Sequence, residues 1–325
     1  MTTMRWGMIG CGDVSEVKSG PAYSLVEGAR LVAVASRRAS QARDYAERHG
    51  IEKVVEDAKA LIRSPEVDAV YIATPPASHL SLALEVAAAG KPCCVEKPIA
   101  NSHADAVAMV RAFEEAGQPL FVAYYRRALP RFLQVKSWIE DGRIGDVRHV
   151  HWTLTRPPSE GDVSGAGAWR TDKEAAPGGY FDDLACHGLD LFDFLLGPIA
   201  RAAGSSRNQQ GLYEVPDAVT GSWVHENGAT GSGLWNFGTS TAEDEVRLFG
   251  SKGEIRFAIF EEAPLLLEAA SGTETLEIPN PVPIQLHHVE RMMAHLAGGA
   301  AYSSTGASAA RTAWGMDRIL GRPEP

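Results

Sequence analysis

Asp183 and His187 are the residues whose types and spacing most directly suggest chemistry in this sequence. They lie four positions apart, behind the glycine pair Gly178-Gly179, and in a helix that spacing places two side chains on one face. A carboxylate that holds one imidazole nitrogen fixes the tautomer and raises the basicity of the other nitrogen. The pair therefore has the composition of a general base for an alcohol proton, although surface Asp/His pairs share the same spacing.

A second motif lies near the start of the sequence, between an apolar run and a helical pattern. This is the context of a dinucleotide-binding fingerprint, in which one glycine makes a tight turn and the next admits a diphosphate. The following helix start supplies partial positive charge, and Ser15 stands where a third glycine is usual. We predict that the cofactor diphosphate binds at this turn, which consists of Gly10, Cys11, Gly12, Asp13 and Val14.

The end of the second predicted strand bears on the choice of cofactor. NAD enzymes usually place a carboxylate there for the ribose 2′-hydroxyl, whereas arginine binds a 2′-phosphate with two hydrogen bonds. This sequence has Ser36-Arg37-Arg38 and no acidic residue before Asp44. The motif favours NADP over NAD, with a solvated charge pair at a helix start as the alternative.

Two further motifs follow strands whose carboxyl ends should face a bound cofactor. Thr74, Pro75 and His79 come after the third apolar run, and we predict cofactor contacts for them, although His79 could simply begin a helix. Glu96-Lys97-Pro98 comes after the next run. We expect Glu96 to contact the cofactor and Lys97 to face it, where its charge could polarise a substrate oxygen.

The elements that must position these residues fall into two patterns. Short apolar runs alternate with helical stretches as far as residue 123, which predicts a parallel, doubly wound Rossmann sheet of the α/β class. Beyond it, Val150, Trp152 and Leu154 alternate with polar residues, and further strand patterns predict an antiparallel meander. We therefore predict a dinucleotide-binding domain over residues 1–123. Residues 124–325 should form an α+β domain with a large, predominantly antiparallel open sheet, and its last helix could pack back on the first domain.

Composition excludes several other classes of protein. The net charge of −10 over 325 residues argues against nucleic acid or an anionic membrane as the main partner. No apolar run reaches the length of a membrane span, and the first residues lack the apolar core of a signal peptide. The four cysteines show no metal-ligand spacing, so we expect a cytoplasmic protein without a bound metal. Cys186 is expected to be a buried small residue rather than a nucleophile.

Gly10-x-Gly12, Glu96-Lys97-Pro98 and Asp183-x-x-x-His187 together resemble the glucose–fructose oxidoreductase/inositol dehydrogenase (Gfo/Idh/MocA) family. The resemblance covers essentially the whole chain. It implies that Lys97 is the catalytic lysine, that Asp183 and His187 complete the site, and that a cis peptide precedes Pro98. It also implies a homodimer or homotetramer formed through the C-terminal sheet.

The resemblance also implies substrate contacts. Trp169-Arg170 matches a pair that the family often places near the cofactor and substrate. Tyr125 and Arg127 lie where the family usually has His or Asn followed by arginine, so the tyrosine is a departure. The metal-free, NADP- or NAD-dependent site would act on a sugar, polyol or related small molecule.

The resulting hypothesis is reversible hydride transfer between the cofactor and a secondary alcohol or carbonyl of a sugar, polyol or related cyclic compound. In the oxidation direction, His187 would remove the hydroxyl proton, Asp183 would orient His187, and Lys97 would polarise the oxygen. One alternative is a cofactor-binding regulator without catalysis. Another is an oxidoreductase of dihydrodiols or anhydro-sugars with the same three residues.

Overall fold

The computed structural model describes residues 3–166 and 169–322, which form two compact units. The first unit takes in the described residues through Ala100, Ala104–Leu129 and Pro281–Ala310. The second takes in Asn101–His103, Pro130–Asn280 and the described residues from Arg311 on. The division into domains at residues 1–123 and 124–325 stays a prediction, and residues 1–2, 167–168 and 323–325 of those ranges lie outside the description.

The first unit contains a sheet of six parallel strands in the order β3-β2-β1-β4-β5-β6. This is the strand order of dinucleotide-binding folds. Successive strands are added on one side of β1 as far as β3 and on its other side from β4 onward, so the order switches between β1 and β4. The predicted Rossmann fold is confirmed. The strands are β1 (Met4–Ile9), β2 (Ala29–Ala35), β3 (Lys53–Val55), β4 (Ala69–Ile72), β5 (Cys93–Val95) and β6 (Leu120–Val122).

The second unit contains a sheet of eight strands in the order β14-β13-β12-β11-β7-β10-β9-β8. Only β7 and β10 pair in parallel among these neighbours, so the predicted, predominantly antiparallel sheet is confirmed. The strands are β7 (Val147–Thr155), β8 (Ile199–Arg207), β9 (Ala218–His225), β10 (Thr230–Asn236), β11 (Glu243–Gly250), β12 (Gly253–Phe257), β13 (Leu265–Ala269) and β14 (Gly272–Leu276).

The predicted meander is wrong in one respect, because β7 lies between β10 and β11. Val150, Trp152 and Leu154 of β7 are fully buried, as their alternation with polar residues predicts. The alternation shows which face of β7 is buried, but strand order depends on pairing between distant segments of the chain, which a local pattern does not indicate.

Ten α-helices complete the described chain, and none of them combines the length and apolar character needed to cross a bilayer. They are α1 (Gly20–Leu25), α2 (Ala39–His49), α3 (Ala58–Arg63), α4 (His79–Ala88), α5 (His103–Glu115), α6 (Pro130–Glu140), α7 (Glu160–Ser164), α8 (Tyr180–Leu196), α9 (Leu286–Leu296) and α10 (Gly306–Leu320).

Helix α8 packs on the sheet of the second unit through a glycine. A Cβ atom on Gly188 would overlap the ring of Trp152, lying 2.7 Å from its Cε3 atom. The Trp152 ring in turn meets Trp235 and Phe192 edge to face, at centroid distances of 5.5 and 6.0 Å. The absence of a side chain at Gly188 therefore sets how closely α8 approaches β7.

We predict that Gly188→Ala lowers the free energy of unfolding by about 1–3 kcal/mol, because the added methyl group must displace a ring that is held on several sides. The matched control is Gly315→Ala in α10, where an added Cβ would meet only Ile199 at 3.7 Å. Alanine there should stabilise the protein by about 0.5–1 kcal/mol through its helix propensity. Urea unfolding measures both variants, and equal effects at the two glycines would contradict the packing argument.

Candidate active site

The glycine turn of the first unit has the shape that a diphosphate site requires. Gly10 has a φ of +104°, and a Cβ on it would lie 2.5 Å from the carbonyl oxygen of Ala73. Gly12 has no atom within 4 Å of its would-be Cβ. The first glycine thus lets two backbone segments approach, and the second leaves open space at the start of a helix, where an anion is favoured. These residues fit a dinucleotide.

The other residues of the turn present mainly backbone to this space. Cys11 is buried, and burial raises the pKa of its thiol to about 11, so the thiol stays protonated. Asp13 is exposed and Val14 half-buried. Ser15, in place of a third glycine, is fully buried, and its hydroxyl donates to the Gly10 carbonyl at 3.0 Å.

The close helix packing that a third glycine normally allows occurs at Gly20 instead, which the sequence motif did not indicate. The chain runs through a π-helical segment, Ser15–Ser19, before α1 begins. A Cβ on Gly20 would overlap the hydroxyl of Tyr45 and lie 2.5 Å from the Ser15 carbonyl oxygen. Tyr45 itself donates to that carbonyl at 3.1 Å.

Ser36, Arg37 and Arg38 follow β2 directly beside the glycine turn, because the Gly10 N–H donates to the carbonyl of Ala35 at 2.8 Å. The Ser36 hydroxyl accepts a 3.3 Å bond from the Arg38 N–H. Both arginines are exposed, and within residues 3–166 and 169–322 neither guanidinium pairs with a carboxylate. Two unneutralised cations therefore lie at the strand end that contacts the ribose in such folds.

His79 connects the loops that follow β4 and β5 through hydrogen bonds to their backbone carbonyls. It is fully buried, with Nε2 2.8 Å from the Thr74 carbonyl and Nδ1 3.0 and 3.2 Å from the carbonyls of Pro98 and Ile99. Burial lowers the pKa of the imidazole, and a neutral ring donates to only one side. This geometry makes His79 a positioning residue. Cofactor contacts of His79, of half-buried Thr74 and of exposed Pro75 stay predictions.

Glu96 fixes the backbone at Lys97. Its Oε1 accepts from the Tyr71 hydroxyl at 2.7 Å and from Gln285 Nε2 at 2.8 Å, while Oε2 accepts from the Lys97 N–H at 3.1 Å. Burial raises the pKa of Tyr71 well above its usual value, so its hydroxyl remains a donor. The peptide before Pro98 is cis, as the resemblance implies. Glu96 is 5% exposed, so its contact with the cofactor stays a prediction.

Tyr125 and Arg127 lie in a short 3-10 helix, Tyr125–Ala128, and both are nearly buried. The Arg126 guanidinium lies over the Tyr125 ring at 4.9 Å, and Arg127 Nη1 donates to the Ser303 carbonyl at 3.3 Å. These contacts fix the two side chains within the first unit. Their predicted contacts with a substrate remain untested.

In the second unit, Asp183 and His187 lie on α8, one turn apart, and each is only 4% exposed. The alternative of a surface Asp/His pair is therefore wrong. Arg170 Nε donates to Asp183 Oδ2 at 2.6 Å, and the same guanidinium lies over the Trp169 ring at 4.6 Å. The Trp169-Arg170 pair thus holds the carboxylate of Asp183 in place.

The His187 ring meets Phe260 edge to face at 5.6 Å, and the sequence did not indicate Phe260. Asp244 holds the backbone at this residue, accepting from the Phe260 N–H at 2.6 Å and the Glu261 N–H at 3.3 Å. It also accepts from Trp152 Nε1 at 3.1 Å. One carboxylate on β11 therefore connects the ring beneath α8 to the ring beside His187.

The start of α8 is fixed by a buried ion pair next to the candidate catalytic acid. Asp182 Oδ2 accepts from the Gly178 N–H and from Arg322 Nη2, both at 2.7 Å, and Arg322 Nη1 also donates to Asp317 at 2.9 Å. Burial raises the pKa of Asp182 despite the guanidinium. Gly179, with a φ of +65°, would bring a Cβ within 2.8 Å of the Pro216 carbonyl oxygen. The turn admits no larger residue at Gly179.

A sheet in the dinucleotide-binding order with an open glycine turn, together with a buried acid and imidazole on one helix, defines a Rossmann-type oxidoreductase. The chain belongs to the Gfo/Idh/MocA family of NAD-binding oxidoreductases. Residues 4–124 match the model of an oxidoreductase family with an NAD-binding Rossmann fold, and residues 132–256 match that of the GFO/IDH/MocA C-terminal domain. The family predicted from the motifs is confirmed.

Individual relatives agree with this assignment. Oxidoreductase P35 of Formosa agariphila is 34% identical over 294 residues, which is 90% of each chain. D-apiose dehydrogenase of Rhizobium rhizogenes is 30% identical over 96% of this chain and 93% of its own. The crystal structure of an oxidoreductase from Agrobacterium radiobacter in complex with NAD+, L-tartaric acid and magnesium is similar with a TM-score of 0.87. It is 25% identical, over 99% of this chain and 96% of that one.

We predict that Arg322→Met lowers the free energy of unfolding by about 3 kcal/mol near neutral pH, because it leaves the buried Asp182 carboxylate without its cation. The folded-state pKa of Asp182 is already raised by burial and rises further without Arg322. The folded protein then takes up the proton at a higher pH than the unfolded chain, so its stability increases as pH falls through the folded pKa. The deficit should shrink as the pH falls from neutral toward the ordinary pKa of an aspartate.

Urea unfolding across this range measures the deficit. In the Asp182→Asn/Arg322→Met double variant, the part of the pH dependence that comes from Asp182 should disappear. The contribution of Asp317, which also loses its guanidinium, and the lost contact to the Asn101 carbonyl should remain. A deficit that is the same at every pH would mean that the Asp182 charge is not its cause.

Proposed function

We propose that this protein is an NADP-dependent dehydrogenase or reductase that acts on a secondary alcohol or carbonyl of a sugar, polyol or related cyclic compound. The observation that carries the proposal is the buried Asp183, held by Arg170 one helical turn before the buried His187. A fixed carboxylate beside an imidazole is suited to proton transfer and is of little use for binding alone. The sugar substrate is supported by the relative named D-apiose dehydrogenase.

The residues of the chain have separate roles in this proposal. In the oxidation direction, His187 accepts the hydroxyl proton and Asp183 orients it, while Arg170 keeps Asp183 in one position. Lys97 stabilises negative charge on the reacting oxygen. Its backbone is held in position because its N–H donates to the Glu96 carboxylate. The nicotinamide ring supplies hydride acceptance when the cofactor is bound. The diphosphate is held at the open turn of Gly12.

We predict turnover on at least one member of a panel of pentoses, hexoses, inositols and anhydro-sugars, measured as formation of reduced cofactor. His187→Ala and Lys97→Ala should each lower kcat by about 10²–10⁴-fold, the usual contribution of acid–base and charge-stabilising groups. The matched control is His149→Ala on β7, where the imidazole contacts Thr230, Ser232 and Phe249 of the sheet. It should retain wild-type turnover.

Two results would contradict this function. Wild-type turnover in both His187→Ala and Lys97→Ala would remove the proposed mechanism. Tight cofactor binding without turnover on any substrate, in either direction, would favour the alternative of a regulator.

The preference for NADP is a separate prediction. Arg37→Gln/Arg38→Gln should weaken NADPH binding by about 10–100-fold, because each charge-assisted bond to phosphate contributes about 1.5–3 kcal/mol. NADH binding should change little. Arg43→Gln, an exposed arginine on α2, is the control that removes charge without touching the strand end. Fluorescence titration measures each affinity, and a wild-type protein that binds NADH more tightly than NADPH would overturn the assignment.

We also propose a homodimer or homotetramer formed through the eight-stranded sheet, as the resemblance implies. One support is the polar character of the sheet face opposite Trp152. On this face Arg247, Glu254, Arg256 and Glu268 form a continuous ladder of ion pairs across β11, β12 and β13. Such a face suits contact with another polar surface better than burial in a core.

A further inference from the structure

We propose that Arg156 binds an oxyanion of the substrate, a carboxylate or a phosphate, so that this protein prefers an acidic sugar derivative to the neutral sugar. The proposal rests on the proposed function and specifies its substrate class. It assigns to Arg156 the choice of substrate and leaves the chemical step to the residues already described.

The backbone fixes the origin of the Arg156 side chain. Arg156 directly follows β7, and its N–H donates to the Asn236 carbonyl at 2.9 Å, which continues the pairing of β7 with β10 past Thr155. Two prolines, Pro157 and Pro158, come next and restrict the chain further. The guanidinium is therefore presented from a rigid strand end rather than from a flexible loop.

The surroundings of the guanidinium leave its hydrogen-bonding edges available. Its central carbon lies 5.3 Å from the centroid of the Phe260 ring, and the residue is half-buried. Stacking on an aromatic ring uses the flat face of the guanidinium and leaves the N–H groups at its edges pointing outward. Within residues 3–166 and 169–322, no carboxylate pairs with Arg156.

The acids nearby are already engaged. Asp244, which holds the Phe260 backbone, accepts three N–H bonds. Asp183 is bound by Arg170. In a chain with 41 acidic residues and a net charge of −10, a half-buried arginine without an acidic partner is a specific local cation. Its fork of donors matches a carboxylate or phosphate in geometry as well as in charge.

Arg156 is also close to the chemistry, because Phe260 contacts His187 as well. The imidazole centroid lies 5.6 Å and the guanidinium carbon 5.3 Å from the same ring centroid, so the two groups are no farther apart than those distances combined. A small substrate with a hydroxyl bonded to the imidazole could therefore also bring an oxyanion to the guanidinium. A short sugar acid or sugar phosphate has both groups.

The experiment compares matched substrates in wild-type protein, Arg156→Gln and Arg156→Lys. Each neutral sugar of the panel is paired with its uronic acid, its aldonic acid and its terminal phosphate ester, and kcat and KM are measured for each. We expect a lower KM for one class of anion in the wild type, and the class shows whether the oxyanion is a carboxylate or a phosphate. This KM should rise with salt, since screening weakens the attraction.

Arg156→Gln should raise KM for the preferred anion by about 10–100-fold. It should change kcat for that anion, and both kcat and KM for the neutral sugar, only a little. Arg156→Lys should recover part of the loss, because it restores the charge without the fork of donors. The control is Arg148→Gln at the start of β7, where the arginine pairs with Asp146. It should leave every KM unchanged, and residual turnover of the neutral sugar shows that each variant is folded.

Three outcomes would overturn the inference. Equal losses on neutral and acidic substrates would show that Arg156 only packs against Phe260. Turnover restricted to neutral sugars in the wild type would reject the oxyanion and leave the proposed function intact. The absence of turnover on every substrate would reject both.

Discussion

The close approach of α8 to β7 is the constraint on which the second unit depends. It requires Gly188, because any side chain there would overlap the Trp152 ring. From Trp152 the effect continues through its indole N–H to Asp244, and from Asp244 to the backbone of Phe260. The ring of Phe260 then contacts His187, which lies one residue before Gly188 on the same helix. Trp152 therefore has two effects. It sets the position of α8, which carries His187, and through Asp244 it sets the position of the Phe260 ring beside His187.

The first unit has a different requirement. It must leave space for an anion at the glycine turn while the backbone around that space stays fixed. Gly12 leaves the space, and buried polar groups hold the neighbouring strand ends. Glu96 is satisfied by Tyr71, Gln285 and the backbone of Lys97, and His79 joins two loops through their carbonyls. The order around the site therefore comes from buried hydrogen bonds, and the exposed Arg37 and Arg38 remain at its edge.

Local patterns in the sequence were sufficient for the Rossmann sheet, the alternation of β7 and the helix that carries Asp183 and His187. They were insufficient where the partner lies far away in the chain. Gln285 follows Glu96 by 189 residues and Arg322 follows Asp182 by 140, and no period or motif connects such pairs. The position of β7 between β10 and β11 was not predicted for the same reason. A strand pattern shows which face is buried, and strand order depends on contacts between distant segments.

Arg170 and Arg156 show why residue type alone could not assign roles at the candidate site. Both guanidiniums lie on an aromatic ring, over Trp169 and Phe260 respectively. Arg170 also binds Asp183, so its charge is paired with a carboxylate of the protein, and its contact with a substrate stays a prediction. Arg156 lies on its ring with no acidic partner among the described residues, so its charge is available to a ligand. The sequence contains both arginines in equally polar contexts. The difference is the position of one carboxylate, Asp183 on α8, which pairs with Arg170. Arg156 lacks such a pair in the described part of the chain and can therefore select a substrate.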